Sequence, residues 1–502
     1  MNKAKKLFKN LITPGETLSQ KVVKGGFWVF FLRIVNQGFS LIRLIVLARI
    51  LSPKDFGLMG IALLTMSVLE TFTQTGFQTA LIQKKEEIKS YLDSAWTFLI
   101  LRGFVLFIIL YFIAPYAAVF FNTPEAKPII RVIGFSIFFQ AFTNIGITYF
   151  KKELEFNKEF IYQFTGTLAD FIVAISAVLI LRNVWALVLG LLAGNITRCF
   201  VSYLIHPYRP RLNFALEKVK ELFGFGKWIF GSSILVFLIT HGDDIFVGKL
   251  LGTTALGFYQ MAYRISNMPA TEITHVISQI TFPAYSKLQD NIPKLREAYL
   301  KVLQLTAFLS FPIAGLIFIL APNFTKIFLG EKWLQMVPAM MVLALWGLIR
   351  SIGATTIIFQ SVGKPEISTK LQFTRLILLV IIIYPLTIKW GILGASLAVL
   401  LSILPVEPIT FYLTIKIIKC HIWEFGKLII FPLIGAVIMS VAILTSKFYI
   451  FSSTGLFSFI VLIFIGGIVY VSMVIIFDWL YDYKIKGIIQ NKLFFTRSNE
   501  ER

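Results

Sequence analysis

The chain has 502 residues, of which 57% are hydrophobic and 50 are Phe, and its mean hydropathy is +0.78. That is more apolar side chain than a water-soluble fold of this length can hide, so the chain is a polytopic membrane protein. The net charge of +22 is gathered into alternate connectors between apolar runs, which argues against nucleic acid as a partner, and two cysteines, Cys199 and Cys420, support no disulfide scaffold, redox motif or metal cage.

Apolar runs of about 20 residues match the thickness of the hydrocarbon core and recur about fourteen times. They read as 25–48, 56–79, 92–114, 129–149, 161–181 and 184–204, then 223–248, 256–280, 300–320, 333–359, 371–388 and 392–415, then 428–444 and 456–477. The first run is too long for the apolar segment of a cleaved signal peptide, and no small-residue cleavage site follows it, so it is expected to remain as a transmembrane helix. The expected fold is all-α, with two parallel six-helix lobes and two C-terminal helices. Residues 1–205 form the first lobe, 206–222 a cytoplasmic connector, 223–420 the second lobe, 421–480 the last two spans and 481–502 a cytoplasmic tail. No connector is long enough for a soluble catalytic domain, so function must reside within the helices.

Lys84, Lys85 and Lys89, Lys151, Lys152 and Lys158, Arg209, Arg211, Lys218 and Lys220, and Lys287, Lys294 and Arg296 mark every second connector. The intervening ones carry Lys127, Arg182 or Lys249 alone. By the positive-inside rule both termini are cytoplasmic, in accord with Lys484, Lys486, Lys492, Arg497 and Arg502 in the tail. A surface this basic also suits anionic lipid headgroups.

Residues 28–62 align without a gap on 228–262. Trp28 and Trp228, Phe30 and Phe230, Ile45 and Ile245, Leu51 and Leu251, Gly57 and Gly257, and Ala62 and Ala262 are identical, and Arg49 faces Lys249. At one position the charges oppose, Arg43 against Asp243. A duplicated span that carries charge is a transporter's pattern, and parallel repeats enclose a site between their lobes.

Ionisable residues at membrane depth face a partner or a cavity, because burying them alone costs several kcal/mol. Arg264 lies about eleven residues into its span, close to the midplane. Arg33 and Arg43, ten apart on one helix, lie within about 80° of each other around it, and Arg350 is similarly deep in the tenth span. Planar guanidiniums bind phosphate bidentately, so Arg43, Arg264, Arg33 and Arg350 are the candidate residues for an anionic substrate. Asp243, Asp244 and Glu70 are candidates for counter-charge or for H+ or Na+ coupling, with no other cofactor and no metal expected. Arg102 and Arg131 either pair with carboxylates or serve helix packing, Arg198 and Glu272 lie where snorkelling explains them, and His241 either relays protons or packs. Prolines inside spans, Pro269, Pro312, Pro385 and Pro432 among them, either hinge the helices or are ordinary for membrane helices. No Walker loop, His-Glu-x-x-His or G-x-S-x-G pattern is present, and the expectation is that the chain is not an enzyme.

The stretch Leu47-Ala-Arg-Ile-Leu-Ser-Pro-Lys-Asp-Phe-Gly-Leu58, with Gly76-Phe-Gln-Thr-Ala-Leu-Ile-Gln83, resembles the first hairpin of Wzx-type polysaccharide flippases. Gly242-Asp-Asp-Ile-Phe-Val-Gly-Lys-Leu-Leu-Gly252, Leu256-Gly-Phe-Tyr259, Ala262-Tyr-Arg264, Pro269 and Phe282-Pro283 extend the resemblance over nearly the full chain. That family shares a superfamily with the MATE drug exporters and the peptidoglycan lipid flippases. The resemblance implies a flippase of undecaprenyl-pyrophosphate-linked oligosaccharide in the bacterial cytoplasmic (inner) membrane. It implies service to lipopolysaccharide O-antigen, exopolysaccharide or capsule synthesis, with polymerase and co-polymerase proteins as partners. It also assigns importance for the lipid pyrophosphate to Arg43 with Arg49, and to Arg264 with Pro269. Glu70 departs from the basic pair that the peptidoglycan flippases carry in the second helix, which puts the charge balance of the cavity in question. The alternatives are a cation-coupled small-molecule exporter and, from a different class, a membrane glycan polymerase or ligase.

Overall fold

The computed structural model describes residues 18–74, 77, 81, 88–153, 155–352, 357–450, 455–481 and 483, and the backbone alone over 18–30, 216–233, 275–280 and 282–283. The side chains of Trp28, Trp228, Phe30, Phe230, His275, Phe282 and Pro283, and most of the 76–83 motif, lie outside the described residues.

The described residues are helical almost throughout. In chain order the helices are α1 (Leu18–Ile50), α2 (Pro53–Phe72), α3 (Lys89–Phe120), α4 (Ala126–Ala141), α5 (Thr148–Lys152), α6 (Phe156–Leu181), α7 (Trp185–Ile205) and α8 (Leu216–Leu251). There follow α9 (Thr253–Leu288), α10 (Ile292–Phe324), α11 (Val337–Ile352), α12 (Ile357–Ser361), α13 (Pro365–Ile403), α14 (Val406–Ile418), α15 (Ile422–Tyr449) and α16 (Leu456–Tyr481). Ten helical stretches among the described residues are long and apolar enough to cross a membrane, or eleven if the bent pair Ala126–Ala141 and Ile145–Lys152 is one span. That tally does not establish the expected fourteen. Phe112, Phe200, Leu204 and Phe464 are exposed, as suits helices solvated by hydrocarbon rather than water.

The helix ends follow from short sequence signals. Ser52 caps α2: its Oγ accepts from the Asp55 amide, the Ser52 amide donates to Asp55 Oδ2 at 2.9 Å, and Pro53 takes the first helical position. Asp55 Oδ1 also accepts from the Val184 amide at 3.1 Å, tying the start of α2 to the start of α7. The Ser-Pro-Lys-Asp motif is thus a capping box with a second, long-range bond. In α13, Gly391 has φ 58° and ψ −136°, which no helix can contain. A Cβ on Gly394 would lie 1.9 Å from the Leu386 carbonyl oxygen, although eight residues of continuous helix span about 12 Å. The chain therefore folds back on itself at Gly391.

The chain forms two compact units, Met1–Gly257 and Phe258–Arg502. In the first, α1 packs on α6, α3 on α4, α2 on α4 and α8, and α6 on α7. The residues after α7 are laid back on α3: the Tyr208 hydroxyl donates to Asp93 Oδ1 at 2.7 Å, the Arg211 amide to the same oxygen at 2.8 Å, and the Asn213 amide to Thr97 Oγ1 at 2.9 Å. Burial, then the bond to Asp93, pushes the Tyr208 hydroxyl above its ordinary range. In the second unit, α11 and α15 pack on α10, α16 packs on α15, and α11 packs on α13. Tyr285, Tyr299, Phe311, Phe359, Phe425 and Phe431 are among its core.

Register 200 of the sequence repeat holds in three dimensions. A Cβ on Gly57 would lie 1.8 Å from the Thr253 carbonyl oxygen, and a Cβ on Gly257 would lie 1.9 Å from the Pro53 carbonyl oxygen. Residue 53 is to 257 as 253 is to 57, which is the reciprocal contact of a local two-fold axis. Around this crossing Thr123 Oγ1 and Thr253 Oγ1 are 2.7 Å apart, and Lys249 Nζ donates to the Phe120 carbonyl at 2.6 Å.

Candidate functional site

Of the arginines singled out in the first helix, Arg43 has a defined partner within its own unit. Its Nη2 lies 2.9 Å from Oδ1 of Asp170 on α6, with side-chain exposures of 16% and 24%. An isolated charge at this depth is costly, and the pair neutralises it. Asp243 is buried on α8, yet the carboxylate facing Arg43 is Asp170. Arg33, half-buried on the same helix, sits about 15 Å further from its C-terminal end, so the two arginines occupy different levels of α1.

Asp243 and Asp244 have different surroundings. The Asp244 amide donates to Asp243 Oδ1 at 3.0 Å, and Asp244 Oδ2 lies 3.6 Å from Nδ1 of the half-exposed His241, a contact longer than a hydrogen bond. Glu70 lies near the end of α2, where Arg102 of α3 reaches the helix terminus. Its Nη2 donates to the Glu70 carbonyl at 3.1 Å and its Nε to the Thr73 carbonyl at 2.8 Å. Arg102 is therefore a C-terminal helix cap. Arg131 of α4 lies 4.2 Å from the Tyr111 ring and serves packing against α3. Arg198 of α7 packs along α6, where a Cβ on Gly166 would lie 2.4 Å from its Cγ, and bonds Asn195 Oδ1 at 3.3 Å.

In the second unit, Arg264 projects from α9 as an exposed residue while Ala262, Ile265 and Ser266 beside it are buried. Arg350 lies 5.4 Å from the centre of the Trp346 ring, and Arg375 of α13 lies 5.3 Å from the same ring. Tyr263, adjacent to Arg264, packs on Trp346 at 5.3 Å. Glu407 of α14 acts electrostatically on Arg375 and has one buried oxygen without a hydrogen-bond partner.

Sequence reading missed Asp170 as the partner of Arg43, although Gly190-x-x-x-Gly194 on the next helix signals that α7 comes close to something on α6. It missed Arg375 and Trp346 altogether. Arg375 stands only a few residues into an apolar run, where it reads as a flank. Among the described residues, no group of three or more His, Cys, Asp or Glu side chains could hold a metal ion.

Comparison with solved structures defines the class by fold. The chain superposes on the lipid II flippase MurJ in an inward closed conformation with a TM-score of 0.73, covering 91% of this chain and 99% of that one at 17% identity. It superposes on an inward-facing multidrug resistance MATE family transporter of the MOP superfamily with a TM-score of 0.62, covering 76% and 94%, also at 17% identity. The fold is that of the MOP exporters. The chain belongs to the polysaccharide biosynthesis protein family, whose model matches residues 46–338, and within it to the Wzx-type flippases. It is 25% identical to the lipopolysaccharide biosynthesis protein WzxC of Escherichia coli (strain K12) over 398 residues, 78% of this chain and 79% of that protein. It is also 25% identical over 470 residues to a membrane protein of the Klebsiella pneumoniae cps region, covering 92% and 96%.

Proposed function

We propose that the chain moves undecaprenyl-pyrophosphate-linked oligosaccharide repeat units from the cytoplasmic to the outer leaflet of the bacterial cytoplasmic membrane, with both termini inside. The observation that carries this reading is the family match over residues 46–338. The in-span arginines supply the chemistry: a sugar chain on pyrophosphate cannot cross hydrocarbon unaided, whereas its prenyl tail is at home there. Arg43, Arg264, Arg33 and Arg350 bind the pyrophosphate in turn as access alternates between the two leaflets, and Asp243, Asp244 and Glu70 serve as counter-charge or couple H+ or Na+. Polymerase and co-polymerase proteins receive the product.

Complementation tests the reading. Arg43→Ala and Arg264→Ala variants that insert normally are expected to fail to restore surface polysaccharide to a flippase-deficient cell. Full restoration by both would end this mechanism. The fold is shared with small-molecule exporters, so transport of dyes by purified protein in vesicles, with no effect on surface polysaccharide, would favour that alternative.

A further inference from the structure

The ion pair that holds Arg43 is built unequally. Asp170 is short and is hemmed in by α7: a Cβ on Gly190 would lie 2.6 Å from Asp170 Oδ1, and a Cβ on Gly194 would lie 3.1 Å from Asp170 Cβ. The two glycines let α7 close over the carboxylate, which fixes its position on α6. Arg43 reaches it from α1 on a long stem with several rotatable bonds. One partner is therefore anchored and the other can swing.

We propose that Asp170 sets the anion affinity of Arg43, by holding the guanidinium when no anion is bound and competing with an incoming oxyanion for its N–H fork. This deepens the proposed function and rests on it. The logic is electrostatic. A phosphate oxygen that bonds Arg43 at about 2.7–2.9 Å replaces Asp170 or crowds beside it, and like charges a few ångströms apart in a medium of low polarity repel. Loading hands the guanidinium from carboxylate to phosphate, and release hands it back. The guanidinium is paired in both end states, but loading leaves the enclosed Asp170 carboxylate without its cation, and that cost is what weakens anion binding and favours release. An arginine without such a competitor would bind the headgroup more tightly and let go of it more slowly.

Asp170→Asn removes the competing charge with almost no change of shape, so the packing against Gly190 and Gly194 is kept. Gly190→Ala is a second variant, whose methyl group displaces the carboxylate from its seat without removing it. The probe is inorganic pyrophosphate, titrated calorimetrically into purified protein in nanodiscs at fixed salt, together with surface polysaccharide in a flippase-deficient cell. Asp170→Asn is expected to bind pyrophosphate on the order of tenfold more tightly and to export less. Gly190→Ala should shift affinity in the same direction by less, and Arg43→Ala should lose binding and export together. If Asp170→Asn binds no more tightly than the parent, or weakens binding as Arg43→Ala does, Asp170 merely positions the arginine and the proposal is overturned. If that happens while Arg43→Ala still abolishes export, the flippase reading stands and only the role of Asp170 falls. If Arg43→Ala exports normally, the reading of this arginine as a pyrophosphate ligand fails first.

Discussion

In the first unit Arg43 meets a carboxylate, Asp170, at 2.9 Å, whereas in the second Arg350 and Arg375 lie 5.4 and 5.3 Å from one indole, that of Trp346. An ion pair occupies the N–H fork of its guanidinium. A ring draws the charge to its face without bonding the N–H fork, and Arg375 also feels the Glu407 carboxylate. The helix ends show the opposite relation, since Gly57 and Gly257 make the same contact with the partner helix in each repeat. The glycine contact is the same in both copies of the repeat, whereas at the aligned positions 43 and 243 the charges oppose. That is the expected order of constraint: two helices that touch through their carbonyls accept no side chain at the contact, whereas charge at depth is tolerated in any arrangement that pairs or stacks it.

The strongest test of the shared geometry is a methyl group. Gly57→Ala and Gly257→Ala each place a Cβ within 2 Å of a backbone carbonyl oxygen, and backbone cannot rotate away as a flexible side chain can. Each is expected to cost about 1–3 kcal/mol or more, read as a clear drop in melting temperature of the purified protein. Gly57→Leu and Gly257→Leu should prevent stable folding. If one glycine tolerates alanine and the other does not, the crossing is not the symmetric element it resembles.

Separating stability from function sharpens the contrast between the two arginine settings. Arg43→Ala leaves the Asp170 carboxylate without its cation, at a cost of about 3 kcal/mol for a fully buried pair and less at this partial exposure. The double variant Arg43→Met with Asp170→Leu should recover most of that stability, because an apolar pair has no desolvation penalty at this depth. It should recover no export. A double variant that exports would show that the charges at this level serve only the fold. In the second unit Trp346→Leu removes the platform from two guanidiniums at about 0.5–2 kcal/mol each. Its melting temperature should fall by less than the Gly57→Ala protein's, and export should fall with it if the ring orients Arg350 and Arg375 for an anion.

Much of this was legible in the sequence, for reasons that can be traced to single residues. Hydropathy gave the helices because a membrane span is long and one-sided in composition. The register of 200 singled out Gly57 and Gly257 as identities that apolar composition does not explain, and the structure shows what they do, which is to let two helices cross in contact. Ser52-Pro53-Lys54-Asp55 looked like a family motif, and the structure shows the physics beneath it, a capping box whose Asp also reaches Val184. Pairings were not legible. Arg43 and Asp170 stand 127 residues apart, and nothing local says that α1 lies on α6 rather than on another helix. Arg102 shows the same limit: sequence marks a charge at depth, and only the fold shows that it bonds carbonyls at the end of α2, beside the Glu70 carboxylate that also acts on it.

The smallest effect belongs to the exposed ends of the helices. Lys54 of α2 donates to Glu125 ahead of α4 at 2.7 Å, and this bond, more than any other contribution, holds the Glu125 carboxyl below its ordinary value near 4.5. A depressed carboxyl stabilises the fold at pH above that ordinary value, and the contribution is lost as pH falls through the lowered one. Both side chains are about half exposed, so solvent screens the pair and its worth is about 0.5 kcal/mol or less. The second unit carries a comparable surface pair, Lys326 with Glu331 at 3.0 Å, ahead of α11. Melting temperatures of Lys54→Met should fall slightly below the parent's at pH 7 and converge on them as the pH is taken down through the lowered Glu125 value, with the gap at pH 7 closing at high salt. A gap that persists in salt would mean that the Lys54 stem packs rather than pairs. Repeating the measurement with Lys326→Met would then show whether the two repeats keep their surface charges for the same reason.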